Sequence, residues 1–413
     1  MYGWAVRLPH MLCHIRVSMR KSGLLLFLPL ALALVGCQSS VTTPPVPTAT
    51  LPPASDAIPV PAGVVAASGY QVHVFAKIPS TSSNPDSIVQ AGNSVFVGTG
   101  DDLNPNGTPG PSGKTNVEIL QYGLDGTLAK TWSVLGHNDG LMAYDSTTIW
   151  AMSNEDCNPK LTVINLTSGS QTVYSPQPSL LTPAGCLTSS NGGLDDMDLI
   201  HGVVYTSASN PNPTPPTPCP ANISTPGCPN GVSTANAVYI LSLNGDGATF
   251  NLTPILASGI TASNIATGAN QILNMTDEDS EGVTPDGSTL LLDSQQDNEL
   301  VFIKNPGAGE VVSFLPITEG GAPTANGIDD TRYAPSGQTF LLDADTNANY
   351  VYRIDSSFTA GNAFSSDSTH VSALNLTTGA LTPILSGLQH SNGMWFVVPA
   401  TSAQSAKLSP AKQ

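Results

Sequence analysis

The segment 277-DEDSEG-282 sets four carboxylates within five residues, one short turn ahead of the apolar run 289-TLLL-292. Acids this close, with no basic neighbour, repel one another, and the strain is relieved either by raised pKa values or by a cation settling among them. Comparable oxygens recur along the chain. Asp86-Ser87-Ile88, Asp139-Gly140-Leu141, Asp195-Asp196-Met197, Glu281-Gly282-Val283, Asn326-Gly327-Ile328 and Asn392-Gly393-Met394 each put a side-chain oxygen ahead of a mostly small residue and then an apolar one. If the six meet at one point they suit a hard cation. Calcium takes six to eight oxygens at about 2.4 Å from carboxylates, amides and water, and outside the cell an affinity of about 0.1–1 mM keeps such a site filled. Ca2+ is therefore the expected cofactor. Asp, Asn and Gly are also ordinary turn residues, so the fold must supply the convergence.

The chain has the means to supply it. Helical periodicity is nearly absent, and short β-branched and aromatic runs alternate with Gly, Asn, Asp and Pro clusters, which marks an all-β protein. One strand pair recurs: VFVGTGDDLN, IWAMSNEDCN, VVYTSASNPN, LLLDSQQDN and FLLDADTNAN lead to NVEILQY, KLTVINL, NAVYILSL, NELVFIK and NYVYRID. Outer-strand candidates such as TWSVLG, LTPILAS, VVSFLPI and LTPILSG follow. Four strands per unit of roughly 45–55 residues is the pattern of a β-propeller, here of six four-stranded blades. The innermost strands of a propeller surround a channel, and their first residues ring one mouth. Too little chain follows the last blade start, so 70-YQVHVFAKI-78 is expected to complete that blade as its outer strand; five or seven blades fit the same pattern.

The flanks read differently. Arg16, Arg20 and Lys21 precede an apolar run from Leu24 to Val35 that ends at Leu34-Val35-Gly36-Cys37, the layout of a secretory signal too short to span a bilayer. Residues 1–37 form that signal, with Met19 an alternative start. The ending resembles the lipobox of bacterial lipoproteins, which implies lipid on Cys37. Gln38 stands where lipoproteins held at the inner membrane carry aspartate, which implies the outer membrane. Residues 38–63 hold seven prolines and almost no charge and read as an extended tether, 64–400 as the propeller, and 401–413 as a disordered tail. Four further cysteines allow three disulfide pairings; Cys219 with Cys228, inside a Pro-rich insert, and Cys157 with Cys186 are favoured by position.

The chain carries a net charge of −17, and four of its 13 basic residues precede Cys37 whereas none of its 30 acidic ones does. A domain this acidic repels nucleic acid and anionic lipid. It leaves the membrane to the lipid anchor and argues against phosphorylated substrates. No GxSxG elbow, P-loop or dinucleotide fingerprint is present. His137 and His390 could serve as acid-base groups or ligands and His201 lies near a blade start, while Asp343-Ala344-Asp345-Thr346-Asn347 lacks the glycine and final acid of a calcium loop and reads as a hairpin turn.

With Gly69-Tyr70 leading into VHVFAKIP, the Asn138-Asp139-Gly140 start and the Asn326-Gly327 and Asn392-Gly393 starts, the chain resembles six-bladed propellers of the NHL and senescence-marker/gluconolactonase group over residues 64–398. In the lactonases of that group, acids and amides at blade starts hold a divalent metal. The resemblance implies Glu281, Asn326, Asn392 and Asn138 as ligands, with Asp195 or Asp139 as base. A narrower likeness to β-propeller phytases lies in Asp279-Ser280-Glu281-Gly282 with Ser294-Gln295 and Asn298, which adds Asp279 to the ligands, as the column adds Asp86. Two functions follow as expectations: a monomeric, membrane-tethered module presenting calcium to a small-molecule, glycan or protein ligand, and a calcium-dependent lactone or ester hydrolase.

Overall fold

The computed structural model describes residues 50–190, 192–209, 235–324 and 327–399. Cys37, Cys219, Cys228 and Asn326 lie outside them. Within them the one helical element is a 3-10 turn, Pro178–Leu180; all else regular is strand.

The strands assemble into antiparallel quartets, named here from innermost to outermost. The first is Pro85–Ala91, Ser94–Thr99, Asn116–Gly123 and Leu128–Leu135; the second is Asn138–Asp145, Thr148–Ser153, Lys160–Asn165 and Gln171–Pro176. The third is Met197–Ile200, Val203–Ser207, Asn236–Leu243 and Thr249–Ala257, and the fourth is Glu278–Val283, Thr289–Ser294, Glu299–Lys304 and Val311–Pro316. The fifth is Thr331–Tyr333, Ala363–Asp367, His370–Leu374 and Ala380–Ser386, and the sixth is Ser391–Val397, Phe340–Asp345, Tyr350–Asp355 and Gln71–Lys77. The innermost strands touch in cyclic order, first to sixth and back to the first. That is the arrangement of a β-propeller.

The sequence pattern explains the sheets. The central strands are apolar on both faces because each sheet packs against two neighbours, and the buried core divides into clusters that each join two adjacent sheets. Val97 and Leu120 meet Phe340 and Val351 between the first and sixth, Ile119 and Trp132 meet Ile149 and Ala151 between the first and second, and Leu291 and Leu300 meet Ala363 and Leu374 between the fourth and fifth. Each fully buried Val, Leu, Ile or Phe among them contributes about 1.5–3 kcal/mol. In the polar turns after the second strands, Asn154, Asn298 and Asn349 take φ of 72°, 54° and 59°, the left-handed conformation that Asn tolerates and β-branched residues do not.

The strand Gln71–Lys77 does lie outermost in the sheet that holds Ser391–Val397. The route through the last two sheets was not foreseen. FLLDAD and YVYRID do not stack on Thr331–Tyr333; they join the sixth sheet, and the chain then returns to build the fifth from Ala363–Asp367 onward. Polar side chains key the exchange. Thr331 Oγ1 meets Ser365 Oγ at 2.8 Å, Asp330 N donates to Ser366 Oγ at 3.0 Å, and Ser391 Oγ donates to Asp343 Oδ1 at 2.5 Å. Residues 50–63 also depart from the expected free tether. Leu51 is buried, Arg353 donates to the Pro52 carbonyl at 3.0 Å, and Asp56 meets His73 at 2.8 Å. The prolines leave carbonyls unpaired for Arg353, while Leu51, Ile58 and Val60 pack on the domain.

Candidate metal centre

Strand registry shows which residues are equivalent. In four of the sheets the innermost strand begins with a residue paired to the end of the second strand, and pairing resumes after an irregularity: Pro85 then Ile88, Asn138 then Gly140 and Leu141, Glu278 then Glu281, Ser391 then Met394. The residue immediately after that first pair is Asp86, Asp139, Asp279 and Asn392. In the third and fifth sheets Asp195 N and Asp329 N donate to the carbonyls of Ser207 and Ser366, which places Asp195 and Asp329 in the same position. One oxygen-bearing side chain thus stands at this position in each quartet.

These groups feel one another. Asp86 is pushed well up by burial, then by Asp329 and Asp139; Asp195 by burial, then by Glu155 and Asp139; Asp279 by burial, then by Asp329 and Asp195. Burial first, then Asp139, also raises Glu155, and Asp329 is pushed up to about 6, chiefly by burial. Carboxylates from five sheets thus lie close enough together to repel one another. Hydrogen bonds tie part of the ring: Gln295 Nε2 donates to Asp279 Oδ2 at 2.6 Å and Asp329 Oδ1 at 3.0 Å, and Asn392 Nδ2 donates to Asp86 Oδ1 at 3.4 Å. Two glycines permit the close packing. A Cβ on Gly140 would lie 2.5 Å from the Asp195 carbonyl oxygen, and one on Gly393 would lie 2.5 Å from that of Asp86.

The ring fits a cation. Single carboxylate oxygens of Glu155, Asp195 and Asp279 all lie within 4.8 Å of one another. Two oxygens bound to one calcium at about 2.4 Å can be no further apart than about 4.8 Å. Asp139 Oδ2 is buried without a hydrogen-bond partner, so an oxygen beside the cluster remains unsatisfied. A basic group borders the ring in His137, whose Nε2 lies 3.0 Å from Asp139 Oδ1 and whose Nδ1 lies 2.9 Å from the Leu103 carbonyl. Burial alone would lower its pKa, but the charge and hydrogen bond of Asp139 outweigh that and raise it to about 10. His390 sits nearby, with Nδ1 against Asn392 Oδ1.

Asp86, Asp139, Asp195, Asp279 and Asn392 are brought together. Glu281 and Asn138 are not. Glu281 falls in register with Ile88, Leu141 and Met394; its carboxylate is wholly buried with both oxygens unpartnered. Burial first, then Asp196 and Asp198, pushes its pKa well up. Asn138 stands one residue before the ring. Its Nδ2 donates to the carbonyls of Met152 at 2.6 Å and Gly140 at 3.2 Å, and its Oδ1 abuts Gly98. His201 is an exposed turn residue with φ 52° between Met197–Ile200 and Val203–Ser207. Asp345 accepts the His390 and Gln389 amides at 2.9 and 3.0 Å, a structural duty. Cys157 is bonded to Cys186, which fastens the Glu155 loop to the segment leading into Asp195.

Glu155 and Asp329 were missed, and Gln295 entered only through the phytase likeness, without a place in the ring. The signal for Asp329 lay in doublets: Asp329-Asp330 matches Asp195-Asp196, Asp279-Ser280 matches Asp86-Ser87, and Asn392-Gly393 matches Asp139-Gly140. Glu155 reaches the ring from a second-strand turn, and nothing in its spacing announces that.

No protein-family profile and no curated protein matches this chain. Among solved structures it is similar to a periplasmic gluconolactonase from Pseudomonas aeruginosa, at 12% identity and a TM-score of 0.41 over 77% of this chain and 89% of that one. It is also similar to the Cps50 β-propeller domain from Myceliophteria thermophila, at 9% identity and a TM-score of 0.40 over 77% and 90%. A protein of unknown function from Desulfotomaculum acetoxidans gives 10% identity and a TM-score of 0.39 over 77% and 90%. Likeness this distant assigns no activity.

Proposed function

We propose that this chain is an outer-membrane lipoprotein, anchored through Cys37, whose propeller mouth holds a calcium ion and offers it to the oxygens of a small-molecule, glycan or protein ligand. The observation that carries the reading is the approach of Glu155, Asp195 and Asp279 within 4.8 Å of one another, with Asp86, Asp139 and Asp329 around them. Calorimetric titration of chelator-stripped residues 38–413 with calcium is expected to show one Ca2+ site per chain, with Asp195→Asn and Asp279→Asn each weakening it about tenfold or more. A stripped protein that takes up no calcium at millimolar concentration ends this reading. Lipid on Cys37 is tested separately: palmitate labelling of the cell-expressed chain is expected to vanish in Cys37→Ala.

A second reading, hydrolysis of a lactone or ester, is favoured by the His137–Asp139 pair at the edge of the acid cluster. Calcium would polarise the substrate carbonyl there. A ring carboxylate, Asp195 or Asp139, would take a proton from water as its oxygen bonds the carbonyl carbon. His137, held protonated by Asp139, would give its proton to the alkoxide released as the C–O bond breaks. Turnover of lactones and aryl esters with and without chelator decides it. Metal bound without any chelator-sensitive rate leaves the binding role alone.

A further inference from the structure

The channel has a second mouth of opposite character. Three residues beyond the acidic ring, each innermost strand presents Val89, Met142, Asp198, Gly282, Arg332 or Trp395. Because the irregularity at the strand start absorbs part of the advance, that level lies about 7 Å deeper. Arg332 links neighbouring innermost strands at this level: Nε donates to Asp330 Oδ2 at 3.0 Å and to the Met394 carbonyl at 3.2 Å, Nη1 donates to the Glu281 carbonyl at 2.8 Å, and the guanidinium lies 5.1 Å from the Trp395 ring centre. Beyond it lies a cavity of about 630 Å3 whose walls are mostly apolar and include Met142, Leu199, Trp395 and Phe396. That volume falls within the range of small-molecule sites.

The polar floor of this cup is unevenly charged. Asp196, Asp198 and Asp330 surround the single guanidinium, with Arg332 Nη2 3.7 Å from Asp196 and Nη1 3.9 Å from Asp198. Of the three carboxylates only Asp198 lines the cavity. Its side chain keeps 23% exposure against 6% for Asp196 and 1% for Asp330. Asp198 Oδ1 takes the Leu199 amide at 2.6 Å, while the nearest Arg332 nitrogen is 3.9 Å from Oδ2, beyond hydrogen-bonding range. A carboxylate oxygen with room for a donor thus sits at the base of an aromatic and aliphatic cup. The geometry points to a second ligand site, independent of the acidic mouth, for a small amphiphilic amine whose ammonium group meets Asp198 and whose apolar body fills the cup.

The test compares three molecules of one skeleton, 4-phenylbutylamine, 4-phenylbutanol and 4-phenylbutyrate, by calorimetry on the wild type, Asp198→Asn and Asp195→Asn proteins. The expected result is an amine that binds at least tenfold more tightly than the butyrate, a preference abolished by Asp198→Asn and kept in Asp195→Asn. The inference is overturned if no amine binding is seen at millimolar concentration, if the acid or alcohol matches the amine, or if Asp198→Asn keeps the preference. Loss in Asp195→Asn alone would place the amine at the acidic mouth and overturn it equally. Should Asp198→Asn fail to fold, the wild-type series together with Asp195→Asn still decides.

Discussion

At the scale of single residues, registry separates two acids that sit two positions apart. Asp279 stands in the ring, and Glu281 occupies a place that neighbouring sheets fill with Ile88, Leu141, Met197 and Met394. Glu281→Met is therefore expected to leave calcium affinity unchanged and to raise stability by about 1–3 kcal/mol, since it removes a buried group with no partner. Calorimetry and a urea melt check this, and a tenfold loss of affinity would return Glu281 to the metal. Burial also sets a pH trend. It pushes Asp196 up to about 7 and Asp198 to about 6, in both cases against Arg332, while burial and then Asp297 raise Glu299 to about 8. A carboxyl whose folded pKa exceeds its unfolded value of about 4 stabilises fully below that value, and the contribution is lost as pH rises through the folded one. Metal-free protein should therefore melt several degrees lower at about pH 8 than at about pH 5, and calcium should narrow the gap. The lowered carboxylates Asp102, Asp246 and Asp286 act in the opposite sense but lie in exposed turns. A flat or rising profile would count against the mutual repulsion described for the channel.

At the scale of elements, the ring depends on how closely the innermost strands approach. Gly140 and Gly393 lie against the backbone of Asp195 and Asp86 in the next sheet. Gly140→Ala and Gly393→Ala are each expected to cost about 1–3 kcal/mol and to weaken calcium binding along with stability, as read by melting and calorimetry on one preparation. Unchanged affinity would show that the ring tolerates a wider spacing. The strand pattern was legible in the sequence because each second strand is a run such as VFVGT or LLLDS closed by a polar turn. Ala363–Asp367 escaped notice because AFSSD carries serines where the others carry branched residues. Those serines bond across to Asp330 and Thr331, a use that only the assembled sheet reveals. The ring was half legible for a similar reason: local motifs reported that oxygens recur, but the pairing of each innermost strand with its neighbour, which puts Asp279 rather than Glu281 and Asp329 rather than Asn326 in the ring, is set by residues distant from the motif.

At the scale of the whole domain, the sheet that joins the two ends of the chain is the critical one. Gln71–Lys77 and Ser391–Val397 flank Phe340–Asp345 and Tyr350–Asp355, and Phe396 packs edge-on to Phe358 at 5.0 Å between ring centres. Phe396→Ala is expected to cost about 3–5 kcal/mol, measured by urea denaturation, with calcium affinity falling in step because Asn392 lies on the same strand; a loss below about 1 kcal/mol would mean the sheet is held elsewhere. The interleaving of the last two sheets has a consequence for biogenesis. The sixth is begun before the fifth is finished and is itself finished last: after Thr331–Tyr333 the chain lays two strands of the sixth, then the remaining three of the fifth, and only then returns with the strand that seals the circle. A ribosome making this protein from its N-terminus therefore releases a necklace whose clasp is synthesised last, and the final third of the domain should snap shut in one step after residue 397 has emerged.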